Sequence, residues 1–205
     1  MGLYREHVVP RLVELTCGAK GIDRFRQSTM EGLEGRVLEV GFGSGLNVPH
    51  YPAAVTEVLA VEPAATARRI AEARIAAATV PVIHVGLDGQ AIDLPDASCE
   101  AALCTFSLCT IPDPGRALGE VARVLVPGGR IHVLEHGRSP DPGVARWQRR
   151  IDPIERRIAD GCHLSRDPVE LLEAAGFSIE RLEQRYVSGP KPWSYFTMAV
   201  AATPS

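Results

Sequence analysis

Lysine is nearly missing from this 205-residue chain: Lys20 and Lys191 are the only two, and the other basic side chains are arginines. With 22 basic and 25 acidic residues the net charge is −3, so no global basic surface argues for a nucleic-acid partner. No apolar run approaches membrane-spanning length, so no integral membrane segment is expected, and no secretory leader is read at the start. The Met-Gly opening lacks the Ser or Thr that myristoylation needs, since position 6 is Glu6. The five cysteines are odd in number and have no Cys-x-x-Cys pair, so neither a disulfide framework nor a metal is expected. A reduced, cytoplasmic protein follows as the expectation. There is no internal repeat and no low-complexity linker, and the length suits one well-packed domain better than two.

What the chain does have is concentrated in residues 37–47. Strand-forming residues run into glycines at alternate positions, Gly41, Gly43 and Gly45, which reads as a buried strand turning sharply beside a ligand. A second apolar run, Val58-Leu59-Ala60-Val61, ends on Glu62. A glycine loop after one strand and a carboxylate at the tip of the next make a nucleoside site, with the carboxylate accepting from two ribose hydroxyls.

Strand and helix patterns alternate through the chain, as a parallel sheet covered on both faces requires. Strands are expected at 36–40, 56–61, 80–85, 100–106 and 130–135, with helices near 45–50, 64–78 and 115–125. The last of these is capped by Asp113, has Pro114 in its first turn, carries Leu118, Val121, Val124 and Leu125 on one face, and stops at Pro127-Gly128-Gly129. A further helix opens at Asp167-Pro168 and ends at Gly176. Two final strands, 177–187 and 195–202, pair antiparallel. The expected fold is therefore α/β: a Rossmann-like, mostly parallel, seven-stranded sheet with helices on both faces and an antiparallel last strand. Within a single domain of residues 1–205, residues 1–30 form a helical segment that is either a lid or a packing helix, with Tyr4, Val9 and Phe25 as its apolar side chains. Residues 31–140 form the ligand-binding core, 141–176 a helical insertion and 177–205 the terminal strand pair.

The dinucleotide fingerprint is Gly-x-Gly-x-x-Gly, whereas this chain has Gly-x-Gly-x-Gly with Leu46 following, which disfavours a nicotinamide dehydrogenase. The loop resembles motif I of the class I S-adenosylmethionine-dependent methyltransferases, with Glu39 in the leading acidic position. Gly89-Gln90-Ala91-Ile92-Asp93-Leu94-Pro95 resembles the segment of that family bordering adenine, and Arg123 to Gly129 resembles its turn before the fifth strand. The resemblance implies S-adenosyl-L-methionine as cofactor, held by Glu39, Gly41, Gly43, Gly45, Asn47, Glu62, Pro63, Asp88, Gln90, Ala91 and Thr105. Where the family has Asp the chain has Gln90; its carbonyl can accept from the adenine amino group, and Asp88 is the other candidate.

Cys104-Thr105-Phe106-Ser107-Leu108-Cys109, Leu134-Glu135-His136, Trp147, Asp152-Pro153 and Asp160 through Arg166 recur in the order found in the type 11 group, in its alkyl-thiol S-methyltransferase-like branch. This implies a small-molecule methyl acceptor, with a thiol sulfur favoured. The acceptor positions are then Phe106, Cys109, Trp147, Cys162 and Arg166, and the candidate bases are His136 and His163. A hydroxyl acceptor needs a base, whereas a thiol is partly ionised already. O-, N- or C-methylation of a quinone, a phospholipid headgroup or a specialised metabolite remains open, as does cofactor binding without turnover. Oligomeric state is not readable. Arg146, Arg149, Arg150, Arg156 and Arg157, interleaved with acids, read as a solvated helix face.

Overall fold

The computed structural model describes residues 20–203 together with Val8, Arg11, Glu14, Cys17 and Gly18; Tyr4 and Val9 lie outside the described residues. Its elements are α1 (Lys20–Thr29), β1 (Gly35–Val40), β2 (Val55–Val61), α2 (Ala65–Ala76), β3 (Val82–Gly86), β4 (Cys99–Thr105), α3 (Pro114–Val124), β5 (Leu125–His136), α4 (Pro142–Ile158), α5 (Pro168–Ala174), β6 (Ser178–Tyr186) and β7 (Tyr195–Ala202). The strands form one seven-stranded sheet in the order β3-β2-β1-β4-β5-β7-β6. All neighbours are parallel except β7, which runs antiparallel to β5 and β6.

The central strands are apolar on both sides because both faces are covered. Leu38, Val40, Leu59, Ala102 and Cys104 pack with Leu118, Val121 and Val124 of α3 and Leu172 of α5. Val37, Val58, Ala101 and Leu103 face the other way, with Met30 and Leu33 behind α1. Cys99 and Cys104 act as small apolar residues in this core. Both expected helix starts are present. Asp113 accepts from Arg116 N, and Asp167 accepts from Val169 N and Glu170 N, caps that each contribute about 1 kcal/mol.

One expected element differs. Residues 45–50 do not form a helix; the chain makes only a 3₁₀ turn at Val48–His50. Gly41, Gly43 and Gly45 all have positive φ, and Pro49 and Pro52 remove backbone donors, so no run of helical residues can build up. Part of the apolar side of α1 packs on the sheet: the Phe25 ring meets Phe196 edge-on at 5.7 Å, beside Leu134 and Met198. The last carbonyl of α1, Thr29 O, is satisfied by His132 Nδ1 of β5 at 2.7 Å, which fits the mid-strand position of that histidine.

Glu39, one residue before the end of β1, is fully buried. Its carboxylate accepts from Asn47 Nδ2 at 2.8 Å and from the Tyr51 hydroxyl, so the turn after the glycine loop is tied back to the strand. Burial pushes the Glu39 carboxyl up to about 7, against the pull of Tyr51 and Asn47. A raised acid favours folding fully below its unfolded value of 4.5 and loses that contribution as pH climbs through about 7. Glu39→Gln removes the titration and keeps an acceptor. In denaturant titrations the variant should gain on the wild type between pH 5 and pH 8 by up to roughly 3 kcal/mol. A stability difference that stays flat with pH would contradict the assignment.

Candidate functional site

A cleft of about 530 Å³ opens at the carboxyl ends of β1, β2 and β4, where open α/β sheets bind ligands. Its floor is the glycine loop. Gly41 has φ +77°, and a Cβ there would stand 2.0 Å from Ser107 Oγ, so both conformation and space demand glycine. Gly43, with φ +60°, sends its N–H to Glu62 Oε2 at 2.7 Å, and Ala64 N donates to Glu62 Oε1 at 2.8 Å. The carboxylate at the tip of β2 is thus aimed along the loop, with lone pairs left for hydroxyl donors. Burial raises the Glu62 carboxyl above its ordinary range although both amides pull it down.

Arg26 is the residue that sequence reasoning missed. It is buried to 2% exposure, yet lines the cleft. Its guanidinium donates to Asn47 Oδ1 at 2.6 Å, to Thr105 Oγ1 at 3.3 Å and to Cys17 O at 3.2 Å. Asn47 also donates to Thr105 Oγ1 at 2.9 Å, so α1, the glycine loop and the end of β4 share one network. Arg26 Nε has no partner among the described residues. A signal for it existed: Arg26 sits on the same stripe of α1 as Ile22 and Thr29, where an arginine has no reason to be unless its charge is used.

At the far end of the loop, Asp88 and Gln90 both line the cleft. The Gln90 side chain is engaged within the protein: Oε1 accepts from Asp113 N at 2.9 Å, and Nε2 donates to Asp88 Oδ1 at 3.0 Å. The Gln90 side chain, then its backbone N–H, holds the Asp88 carboxyl below the usual range, so Asp88 is the ionised acceptor here.

Phe106 and, after α4, Ala159, Asp160, Gly161 and His163 also wall the cleft, while Ile111 and Pro112 lie beside the Asp88–Gln90 segment. Phe106 has φ +53°, unusual for a bulky residue, and its ring rests edge-on against Phe196 at 5.3 Å. The strand-end loop is held from beneath by Glu135, whose Oε1 accepts from Ser107 N at 2.5 Å and Leu108 N at 2.8 Å. His163 lines the cleft, and its Nδ1 lies 3.2 Å from Cys109 O. A ring nitrogen facing a carbonyl must carry the proton, which leaves Nε2 as an acceptor.

The other expected site residues fall elsewhere. Gly41, Gly43, Asn47, Glu62, Pro63, Asp88, Gln90, Thr105 and Phe106 are brought together around the cleft; Glu39, Gly45 and Ala91 lie behind its lining. Trp147 is 59% exposed on the outer side of α4 and does not line the cleft, because Ala145 and Gln148 take the inward positions of that helix. Arg166 is a brace rather than an acceptor contact. Its guanidinium donates to Leu108 O at 2.6 Å and Ile111 O at 2.8 Å. His136, Cys109 and Cys162 form a separate cluster one residue behind the wall, so His136 is not placed as a base for a ligand in the cleft.

Comparison with known proteins agrees with this geometry. Residues 38–133 match the family model described as a methyltransferase domain. Thiol S-methyltransferase TMT1B of Rattus norvegicus is 35% identical over 153 residues, covering 72% of this chain and 62% of that protein. Thiol S-methyltransferase TMT1A of Homo sapiens is 32% identical, covering 77% of this chain and 65% of the relative, so the chain spans less than two thirds of these relatives' length. The ubiquinone/menaquinone biosynthesis C-methyltransferase UbiE of Syntrophotalea carbinolica is 30% identical over 80% of this chain and 75% of its own. Among solved structures, a SAM-dependent methyltransferase of Thermotoga maritima superposes with a TM-score of 0.68 at 22% identity, covering 98% of this chain and 99% of that one. The [4+2]-cyclase SpnF gives a TM-score of 0.71 at 22% identity over 89% and 81% of the two chains; these two likenesses speak to the fold alone. By its family match and its relatives, the chain belongs to the class I S-adenosylmethionine-dependent methyltransferases of the type 11 group.

Proposed function

We propose that the cleft binds S-adenosylmethionine and that the protein methylates the sulfur of a small thiol. Three features of the chain fit the cofactor. The glycine floor admits no Cβ at position 41, Glu62 keeps lone pairs for two ribose hydroxyls, and Arg26 sets a largely buried cation in the cleft lining for a carboxylate. Asp88 is the acceptor for the adenine amino group. When bound, the cofactor supplies a methyl group on a sulfonium centre, which a nucleophile displaces in line. Phe106 keeps water from the reacting end.

The observation that carries the acceptor reading is His163: one imidazole in the cleft lining, its Nδ1–H committed to Cys109 O. Nε2 takes the proton of an incoming thiol. No carboxylate within the described hydrogen bonds orients this ring, so it is a weaker base arrangement than a hydroxyl acceptor demands and enough for a thiol. The thiol S-methyltransferase relatives support the same choice. A second reading, methylation of a quinone-like ring, is favoured by the apolar wall and by the UbiE relative. No described helix is long and apolar enough to cross a membrane.

A screen of simple alkyl thiols against hydroxylated aromatics and reduced quinones decides the acceptor. S-methylated products are expected; methylated phenols or quinols with inert thiols would overturn the reading. His163→Ala should lower kcat/KM for a thiol about 10- to 100-fold at pH 7. The gap should close as pH nears the pKa of the thiol itself, because hydroxide then does the work. An equal loss at every pH would mean that His163 positions substrate instead of taking its proton.

A further inference from the structure

Three groups that the cleft does not use meet behind its wall. Cys109 comes from the loop after β4, His136 from the last position of β5, and Cys162 from the segment after α4. Their ligand atoms, two Sγ and one ring nitrogen, all lie within 4.8 Å of one another. His136 Nε2 is 3.1 Å from Cys162 Sγ, and both cysteines are buried among Leu164, Ile151 and Ala159. His136 thus turns Nε2 toward the sulfurs, and its Nδ1 is buried with no partner among the described residues.

We propose that Cys109, His136 and Cys162 bind one thiophilic divalent cation, Zn²⁺ by the chemistry of the set. Two thiolates and an imidazole suit a borderline-soft d¹⁰ ion, whereas Mg²⁺ and Ca²⁺ require oxygen ligands. Tetrahedral Zn–S and Zn–N bonds put neighbouring ligand atoms about 3.6–3.8 Å apart. The 3.1 Å nitrogen–sulfur contact therefore needs to open by only about half an ångström to admit the ion. Binding releases the protons of both thiols to solvent, and the ion's two charges balance the two thiolates.

The scaffold is already clamped in the shape the ion needs. Cys109 O accepts from His163 N at 2.9 Å, fixing the two cysteine-bearing loops to each other. Asp152 accepts from Leu164 N at 2.7 Å and from the Ser165 hydroxyl. Arg166 grips the carbonyls of Leu108 and Ile111. Three protein ligands leave a fourth position, as in zinc sites that take up a water or another small ligand. Gly161 and His163, the neighbours of Cys162, line the cleft, so the cation would stand directly behind the acceptor wall and stiffen it. No metal-ligand spacing marks the site, because the three ligands are far apart in the chain and form no Cys-x-x-Cys pair.

The site is independent of which acceptor is methylated, and so is its test. The reduced, metal-free full chain is titrated with Zn²⁺ against a chromophoric chelator, and separately with Co²⁺. One equivalent of Zn²⁺ should be held, and Co²⁺ should give a thiolate-to-metal charge-transfer band with the visible bands of a tetrahedral ion. Cys162→Ser and His136→Ala should each weaken binding at least about tenfold, while Cys99→Ser, in the sheet core, should leave it unchanged. The proposal is overturned if the wild type takes up no stoichiometric Zn²⁺ and gives no charge-transfer band with Co²⁺, as a bare thiolate–imidazole pair would. It is equally overturned if uptake survives loss of both Cys109 and Cys162. The Co²⁺ spectrum of the wild type does not depend on any variant folding.

Discussion

The structure hangs on one buried polar network, in which Arg26 holds Asn47 and Thr105 while Asn47 and Tyr51 hold the Glu39 carboxylate. A carboxyl and a guanidinium taken out of water are each costly, and stripping one partner from such an arrangement typically costs about 3–5 kcal/mol. The network is nevertheless retained at the place where β1, the glycine loop, the end of β4 and helix α1 meet. Hydrophobic packing could join these elements but could not fix their rotation about the cleft. Directional hydrogen bonds do, and they hold the Arg26 side chain in the lining of the cleft.

The same economy recurs around the rest of the site. Side chains that carry charge are spent on backbone groups of the loops, and the loops present the ligand surface. Glu62 is aimed by Gly43 N and Ala64 N, Glu135 holds Ser107 N and Leu108 N, Asp152 holds Leu164 N, and Arg166 holds the carbonyls after β4. Positioning of this kind is what an in-line displacement asks of an enzyme, since alignment contributes more there than acid–base chemistry.

Much of this was legible in the sequence, and the parts that were not share a cause. The alternating strands and helices, the caps at Asp113 and Asp167 and the glycine loop are local patterns, so periodicity and spacing reveal them. The helix expected at 45–50 failed because left-handed glycines and Pro49 act on the same few residues that looked helical. Trp147 and Arg166 were read as acceptor contacts from their place in a shared motif, but a motif does not say which way a helix face turns or that a guanidinium is already committed to carbonyls. Arg26 was passed over because its role depends on Asn47 and Thr105, distant in the chain. The Cys109–His136–Cys162 cluster is invisible for the same reason. Long-range convergence of polar side chains is set by tertiary packing, and no window along the chain contains it.

The central claim is that this network builds a cofactor site whose cation receives a carboxylate. Calorimetric titration with S-adenosylhomocysteine, which has that carboxylate, and with 5′-methylthioadenosine, which lacks it, tests it most directly. The wild type should bind both, and Arg26→Met should weaken the first about 10- to 100-fold more than it weakens the second. Loss of affinity for both ligands alike, or no effect on either, would contradict the account.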